Sequence, residues 1–183
     1  MNRRTFFILP ALAVATLAFG ADDPKRSIDT NGLSFKAPES WKSVPASGMR
    51  AAQLKVAPVD GDEFPAELVL FIFPGGAGTV DQNVKRWQQQ FKDADGNPPK
   101  IESKALKGKN VEVTRVETAG HYTPTNFPGR PVEPERDNAR LFGAIVVTEK
   151  AGYFFKMVGP DKTMTALKPA FNELIESIEI EGK

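Results

Sequence analysis

The chain has 183 residues, 40% of them hydrophobic and 26% charged, with no Cys, one His and a formal net charge of +1. That composition describes one soluble globular domain, and 24 Lys+Arg against 23 Asp+Glu removes any electrostatic case for nucleic acid or an anionic membrane surface. Without cysteine there is no thiolate zinc, iron–sulfur cluster, Cys nucleophile or disulfide; one His excludes a multi-His metal centre within the chain, so neither a metal nor a cofactor is implied.

The first twenty residues read as an address. Asn2-Arg3-Arg4 is a short positive segment, Thr5 to Phe19 is apolar and uncharged, and Ala18-Phe19-Gly20 is a small-x-small cleavage pattern before Ala21. Together they predict a secretory signal peptide over 1–20, cut after Gly20. The apolar run is shorter than the roughly 20 residues of a membrane span. No later stretch approaches that length, so the mature chain is expected to have no membrane span and to be periplasmic or secreted. Arg3-Arg4-Thr5-Phe6-Phe7 also fits a twin-arginine export signal, although adjacent arginines occur in ordinary leaders too. Cleavage takes two of the 24 basic residues and no acid, leaving 163 residues with 22 basic and 23 acidic. A domain of that size buries about 70% of its unfolded surface and needs no staple.

Along the mature chain, residues 21–31 are polar and read as a flexible lead-in, with a single domain following over 32–180. Gly32 to Lys36 alternates apolar and polar, as a half-buried strand does. Pro38 to Pro45 is a turn-rich link containing Trp41. Met49 to Val56 is a second strand, with Ala52, Leu54 and Val56 on one face. Leu68 to Phe73 is apolar at every position, which predicts a strand covered on both sides. Pro74 to Gly78 breaks it, and Thr79 and Gln82 stand at capping-box spacing. Val80, Val84, Trp87 and Phe91 then lie on one face of an amphipathic helix, ended by Asp95-Gly96-Asn97-Pro98-Pro99.

Ile101–Leu106 and Val111–Val116 form a hairpin around Lys107-Gly108-Lys109-Asn110. Gly120 to Asn138, with four Pro and few apolar residues, is predicted as a long surface loop. Leu141–Val147 and Tyr153–Val158 make a second hairpin, and Asp161 is placed to cap the closing helix. That helix carries Met164, Leu167, Phe171, Leu174, Ile175 and Ile178 on one face, with Pro169 inside it expected to kink or split it. The sum is an α+β domain with a largely antiparallel sheet.

Few residues carry chemistry. Gly75-Gly76-Ala77-Gly78-Thr79 could hold an anion on free backbone N–H groups, but it lacks a phosphate-loop Lys and the spaced Rossmann glycines, so it reads as a tight connection that lets the helix fold back. His121, beside Tyr122, has no nucleophile or carboxylate partner fixed by the sequence. Asp60, Asp62 and Glu63 lack the spaced oxygen donors of a calcium loop and read as a solvated turn. Glu133, Glu135 and Asp137 are interleaved with Arg130, Arg136 and Arg140 and are expected to balance them. Trp87 reads as core. Lys156 interrupts an apolar strand on the face of Phe154 and Val158, so its ammonium must reach water, snorkel or meet a carboxylate. Arg50 poses the same question. Either both are structural ion pairs, or they line a pocket for an anionic ligand.

The order of these motifs resembles a group of exported bacterial proteins. Met49-Arg50, the buried strand, the Gly-rich turn into Asn83-Val84-Lys85-Arg86-Trp87-Gln88-Gln89-Gln90-Phe91, Gly120-His121-Tyr122, Arg140-Leu141-Phe142-Gly143 and Tyr153-Phe154-Phe155-Lys156-Met157-Val158-Gly159-Pro160 carry the likeness. That group is similar in turn to the PsbP/Mog-type fold. The resemblance implies an α/β/α sandwich in which an antiparallel sheet of about six to seven strands is covered by two main helices. It also implies a non-catalytic binding or assembly module, with no catalytic residue to transfer. The expected recognition surface is the 120–138 loop and adjacent sheet end, with Arg50, His121, Tyr122, Arg140 and Lys156 as candidate binding residues. Its partner would be an envelope protein or a small anionic ligand. The competing expectations are a hydrolase-like enzyme whose site assembles only in three dimensions, and a small-anion binding protein.

Overall fold

A computed structural model describes residues 23–126 and 132–182; the expected signal peptide at 1–20 lies outside the described residues. The first strands are β1 (Lys25–Thr30), β2 (Leu33–Pro38), β3 (Lys42–Ser43), β4 (Arg50–Val56) and β5 (Ala66–Pro74). Helix α1 (Val80–Gln88) comes next, then β6 (Phe91–Lys92), β7 (Glu102–Lys107) and the long strands β8 (Glu112–Tyr122), β9 (Arg136–Val147) and β10 (Ala151–Pro160). Helix α2 (Asp161–Ser177) and β11 (Glu179–Ile180) close the chain. The main sheet has eight strands in the order β3-β4-β5-β10-β9-β8-β6, with β7 also beside β8; β1-β2-β11 form a smaller sheet. Every pairing described is antiparallel. The expected α+β sandwich is the observed one, with somewhat more strands in the sheet.

Alternation along β10 shows how the layers are made. Tyr153, Phe155 and Met157 enter a core with α2 and β2, whereas Phe154, Lys156 and Val158 face the side that carries α1. The α2 side holds 25 buried apolar residues and the α1 side eight, so the first is the main core. The predicted apolar face of α2 is buried in full, including Ile178 just past its end. Pro169 neither splits nor ends α2, which runs unbroken through it. Pro169 lies on the exposed side, where the carbonyl its ring leaves unbonded can turn to water. Asp161 is the first residue of α2 and not its cap; Pro160 holds that position and Asp161 turns to Arg140. The cap comes instead from the acidic turn: the Asp62 carboxylate accepts the Thr163 N–H at 2.9 Å, placing negative charge at the positive end of the helix.

The capping box of Thr79 and Gln82 forms as predicted. Gly75, Gly76 and Gly78 all have φ between 75° and 92°, so these glycines make the turn. Helix α1 stops at Gln88, so Phe91 leaves it and pairs with Tyr122 as part of β6. Trp87 is the deeply buried apolar side chain of α1 and sits over Gly143 of β9, where an added Cβ would lie 2.2 Å from its ring.

Three further expectations are corrected. Within the lead-in 21–31, Lys25–Thr30 is a strand paired with β2, tied down by Arg26, which donates to the Pro38 carbonyl at 3.1 Å and the Ser43 hydroxyl at 2.9 Å. The 120–138 loop is shorter than predicted, because Gly120–Tyr122 extend β8 and Arg136–Asn138 begin β9, with Tyr122 opposite Arg136 across a register shift. In β5, Leu68, Val69 and Leu70 are buried but Phe71, Ile72 and Phe73 are half-buried. Nine helical residues span about 14 Å, roughly three strand spacings, so α1 cannot cover an eight-stranded sheet.

Candidate functional site

The sheet area that α1 leaves open, toward β5 and β4, forms a cavity of about 130 Å³. Strand alternation sends Glu67, Val69 and Phe71 of β5 and Lys156 and Val158 of β10 into it, Val69 directly opposite Lys156. Arg50 enters from β4, Tyr122 from the end of β8, Arg136 from the start of β9, and Glu133 from the connection between those last two.

Lys156 is half-buried, and its ammonium is enclosed by partners. Its Nζ donates to Gln90 Oε1 at 2.6 Å and to the Tyr122 hydroxyl at 3.0 Å, and stands 4.9 Å from the Tyr122 ring centroid. Burial pulls the Lys156 ammonium down to about 8, with Glu133 opposing the fall and Arg50 adding to it. Burial likewise pushes the Tyr122 hydroxyl well up, and Glu133 and Glu67 push the same way. Arg50 bridges the two acids, with Nη2 3.0 Å from Glu133 and Nη1 3.8 Å from Glu67. Glu67 also accepts from Gln53, and the Arg136 guanidinium lies 4.0 Å over the Phe64 ring.

The Lys156 shift has a measurable sign. The folded value sits below that of the unfolded chain, so between about pH 8 and about pH 10.5 the unfolded state binds more protons and stability rises with pH. Urea midpoints measured across that range should rise in the wild type relative to Lys156→Met. Parallel curves would show an ordinary lysine.

The five sequence candidates separate into three places. Arg50, Tyr122 and Lys156 meet in the cavity. His121, the next residue along β8 from Tyr122, is outside it, with Nδ1 2.7 Å from Asp137 and Nε2 3.2 Å from Glu135. Arg140 lies on the α2 side, bound to Asp161 and to Glu117, whose carboxylate is shared with Arg115 and Lys168. The expected mutual balancing of 133, 135 and 137 with Arg136 and Arg140 is therefore corrected: each acid finds another partner, and Arg130 lies outside the described residues. The sequence reading missed Glu67, Glu133 and Arg136 as cavity residues, and Gln90 as the acceptor for Lys156. The one local signal was Glu67, a charge beside an otherwise apolar run.

Hydrogen bonds to Asp137 and Glu135 raise the His121 value above its ordinary one, about 6.5. Protonation is then favoured by folding, so the clamp is complete below about pH 6.5 and lost as pH rises through the raised value. With a single His in the chain, one imidazole NMR titration reads this. Its midpoint should lie above that of the unfolded chain and fall in Asp137→Asn.

Among the described residues, no helix is long and apolar enough to cross a membrane. The sequence matches no family profile and no curated protein. The architecture does have solved counterparts. Cyanobacterial PsbP (CyanoP) from Synechocystis sp. PCC 6803 superposes with a TM-score of 0.54 at 13% identity, over 94% of this chain and 98% of that one. The fold is PsbP-like. LpqN of Mycobacterium tuberculosis, described as involved in cell envelope biogenesis, matches with a TM-score of 0.50 at 14% identity over 87% of each chain. At such identities the PsbP-like likeness extends to the fold and assigns no role to any cavity residue.

Proposed function

We propose that this chain is an exported, non-catalytic binding module of the cell envelope, which recognises its partner through the Arg50–Lys156 cleft and the segment 120–138 around it. The observation that carries this reading is the cleft itself, a small cavity with three cations and aromatic walls at the open end of a rigid sheet. The leader-like residues 1–20 support export, and the LpqN likeness supports an envelope setting. A protein partner and a small anionic ligand are both compatible with a cationic, partly apolar cleft.

One feature favours an enzyme instead: Glu67 and Glu133 share the cavity, and paired carboxylates can divide acid and base roles. Against it, both carboxylates engage the same Arg50 guanidinium. The test uses immobilised mature protein and an envelope extract. A component retained by the wild type and lost in Arg50→Ala and Lys156→Met supports the proposal, and equal retention by all three overturns the cleft as the recognition surface. Turnover of ester, phosphoester or glycoside substrates that Glu67→Gln abolishes would overturn the non-catalytic reading.

A further inference from the structure

We propose that the cleft takes a small organic carboxylate with an apolar body, and that Glu133 is a tethered stand-in for the carboxylate of that ligand. The inference rests on the cleft being the recognition site and adds what it recognises.

The two acids in the cavity are held very differently. Glu67 belongs to β5, paired on both sides, and its carboxylate accepts from Gln53 as well as facing Arg50. Glu133 comes from the connection between β8 and β9 and is exposed. The Asn126 side chain holds its backbone, accepting the Glu133 N–H at 2.9 Å and donating to its carbonyl at 3.3 Å. Arg50 Nη2 holds its carboxylate at 3.0 Å. Swing that one side chain away, and Arg50, Arg136 and Lys156 face a single fixed acid. Glu133 is thus the removable anion of a site whose permanent charge is positive.

Its position also defines the chemistry. The Glu133 carboxylate sits where one group can meet the Arg50 guanidinium and act on both the Lys156 ammonium and the Tyr122 hydroxyl. A guanidinium receives a carboxylate through a planar pair of N–H donors. The remaining walls are apolar: Phe64, Val69, Phe71 and Val158. A bare inorganic anion would leave these walls against water, and a neutral ligand would leave the cations without a counter-charge. At about 130 Å³ the cavity is well under the roughly 300–1,000 Å³ of drug-sized sites, so the ligand is small. Ligand and Glu133 compete for Arg50. Binding therefore releases the Glu133 side chain from Arg50, while Asn126 keeps its hold on the Glu133 backbone.

Titration of the mature protein with benzoate, monitored by amide NMR, tests this. Benzoate should shift the resonances of Arg50, Tyr122 and Lys156, and Glu133→Gln should tighten binding about tenfold by removing the internal competitor. Arg50→Ala should abolish binding in both backgrounds. Inorganic phosphate and benzyl alcohol should each bind at least about tenfold more weakly, lacking the apolar body and the charge respectively. Glu133 is exposed, so Glu133→Gln should melt as the wild type does, and a matching melt shows that a lost response is not unfolding. Unchanged or weaker benzoate affinity in Glu133→Gln overturns the stand-in. Phosphate or benzyl alcohol binding as well as benzoate overturns the ligand class. If no variant binds benzoate while envelope capture still depends on Arg50 and Lys156, this inference falls and the binding-module reading stands.

Discussion

Replacing Trp87 with alanine should lower stability by about 3–5 kcal/mol. Val80 and Val84, the other apolar residues of α1, are only partly buried, so Trp87 is the anchor that fastens the helix to the sheet. Opposite it, Gly143 supplies no side chain that could relax into the space, which is the condition under which a deleted side chain leaves its full cavity. The converse substitution probes the same contact: Gly143→Ala places a methyl 2.2 Å from the indole and should cost about 1–3 kcal/mol through overpacking. Gln90 lies just past Trp87 and accepts from Lys156, so the Trp87 variant should also loosen the floor of the cleft. Urea denaturation measures the first effect, and an unchanged midpoint in Trp87→Ala would refute the anchor.

Glu117→Gln should cost about 1–3 kcal/mol at neutral pH, since it takes one charged acceptor away from three cations. The Glu117 side chain is 9% exposed and serves Arg115, Arg140 at 2.7 Å and Lys168 at 2.9 Å. These three come from β8, β9 and α2, so the carboxylate ties the helix to the sheet. Burial works against its charged form, but the Lys168 hydrogen bond, the Arg115 charge and the Arg140 hydrogen bond outweigh it and hold the carboxyl below the usual range. A lowered folded value means the contribution is present above the ordinary carboxylate value and lost as pH falls through the lowered one. Wild type and variant should therefore differ most at neutral pH and converge in acid. A loss below about 0.5 kcal/mol at pH 7 would mark the cluster as no stronger than exposed ion pairs.

The strands and helices with apolar periodicity were legible in the sequence, since burial of a face is written into every second or every third to fourth position. What escaped was structure specified by partners. Strand β1 contains one large apolar residue, Ile28, and is fixed by β2 and by Arg26 reaching carbonyls and a hydroxyl up to 17 residues away. The Gly- and Pro-rich ends of the 120–138 segment look like loop locally, yet β8 and β9 pair them. In the cleft, Arg50 and Lys156 were visible because a charge in a strand must be accommodated. Glu133 was not, because its meaning depends on Arg50, 83 residues earlier. His121, Tyr122 and Arg140 gave no local clue to the different surroundings they occupy.

The unequal layers have a mechanical consequence. One slab, thick with interlocked side chains, acts as ballast; the other is a thin veneer pinned by a single indole, and the cleft opens along its free margin. Thermal opening is cheapest where the fewest contacts must part. Motion at the margin can thus reshape the cleft while the ballast keeps its shape, so such breathing does not require the protein to approach global unfolding.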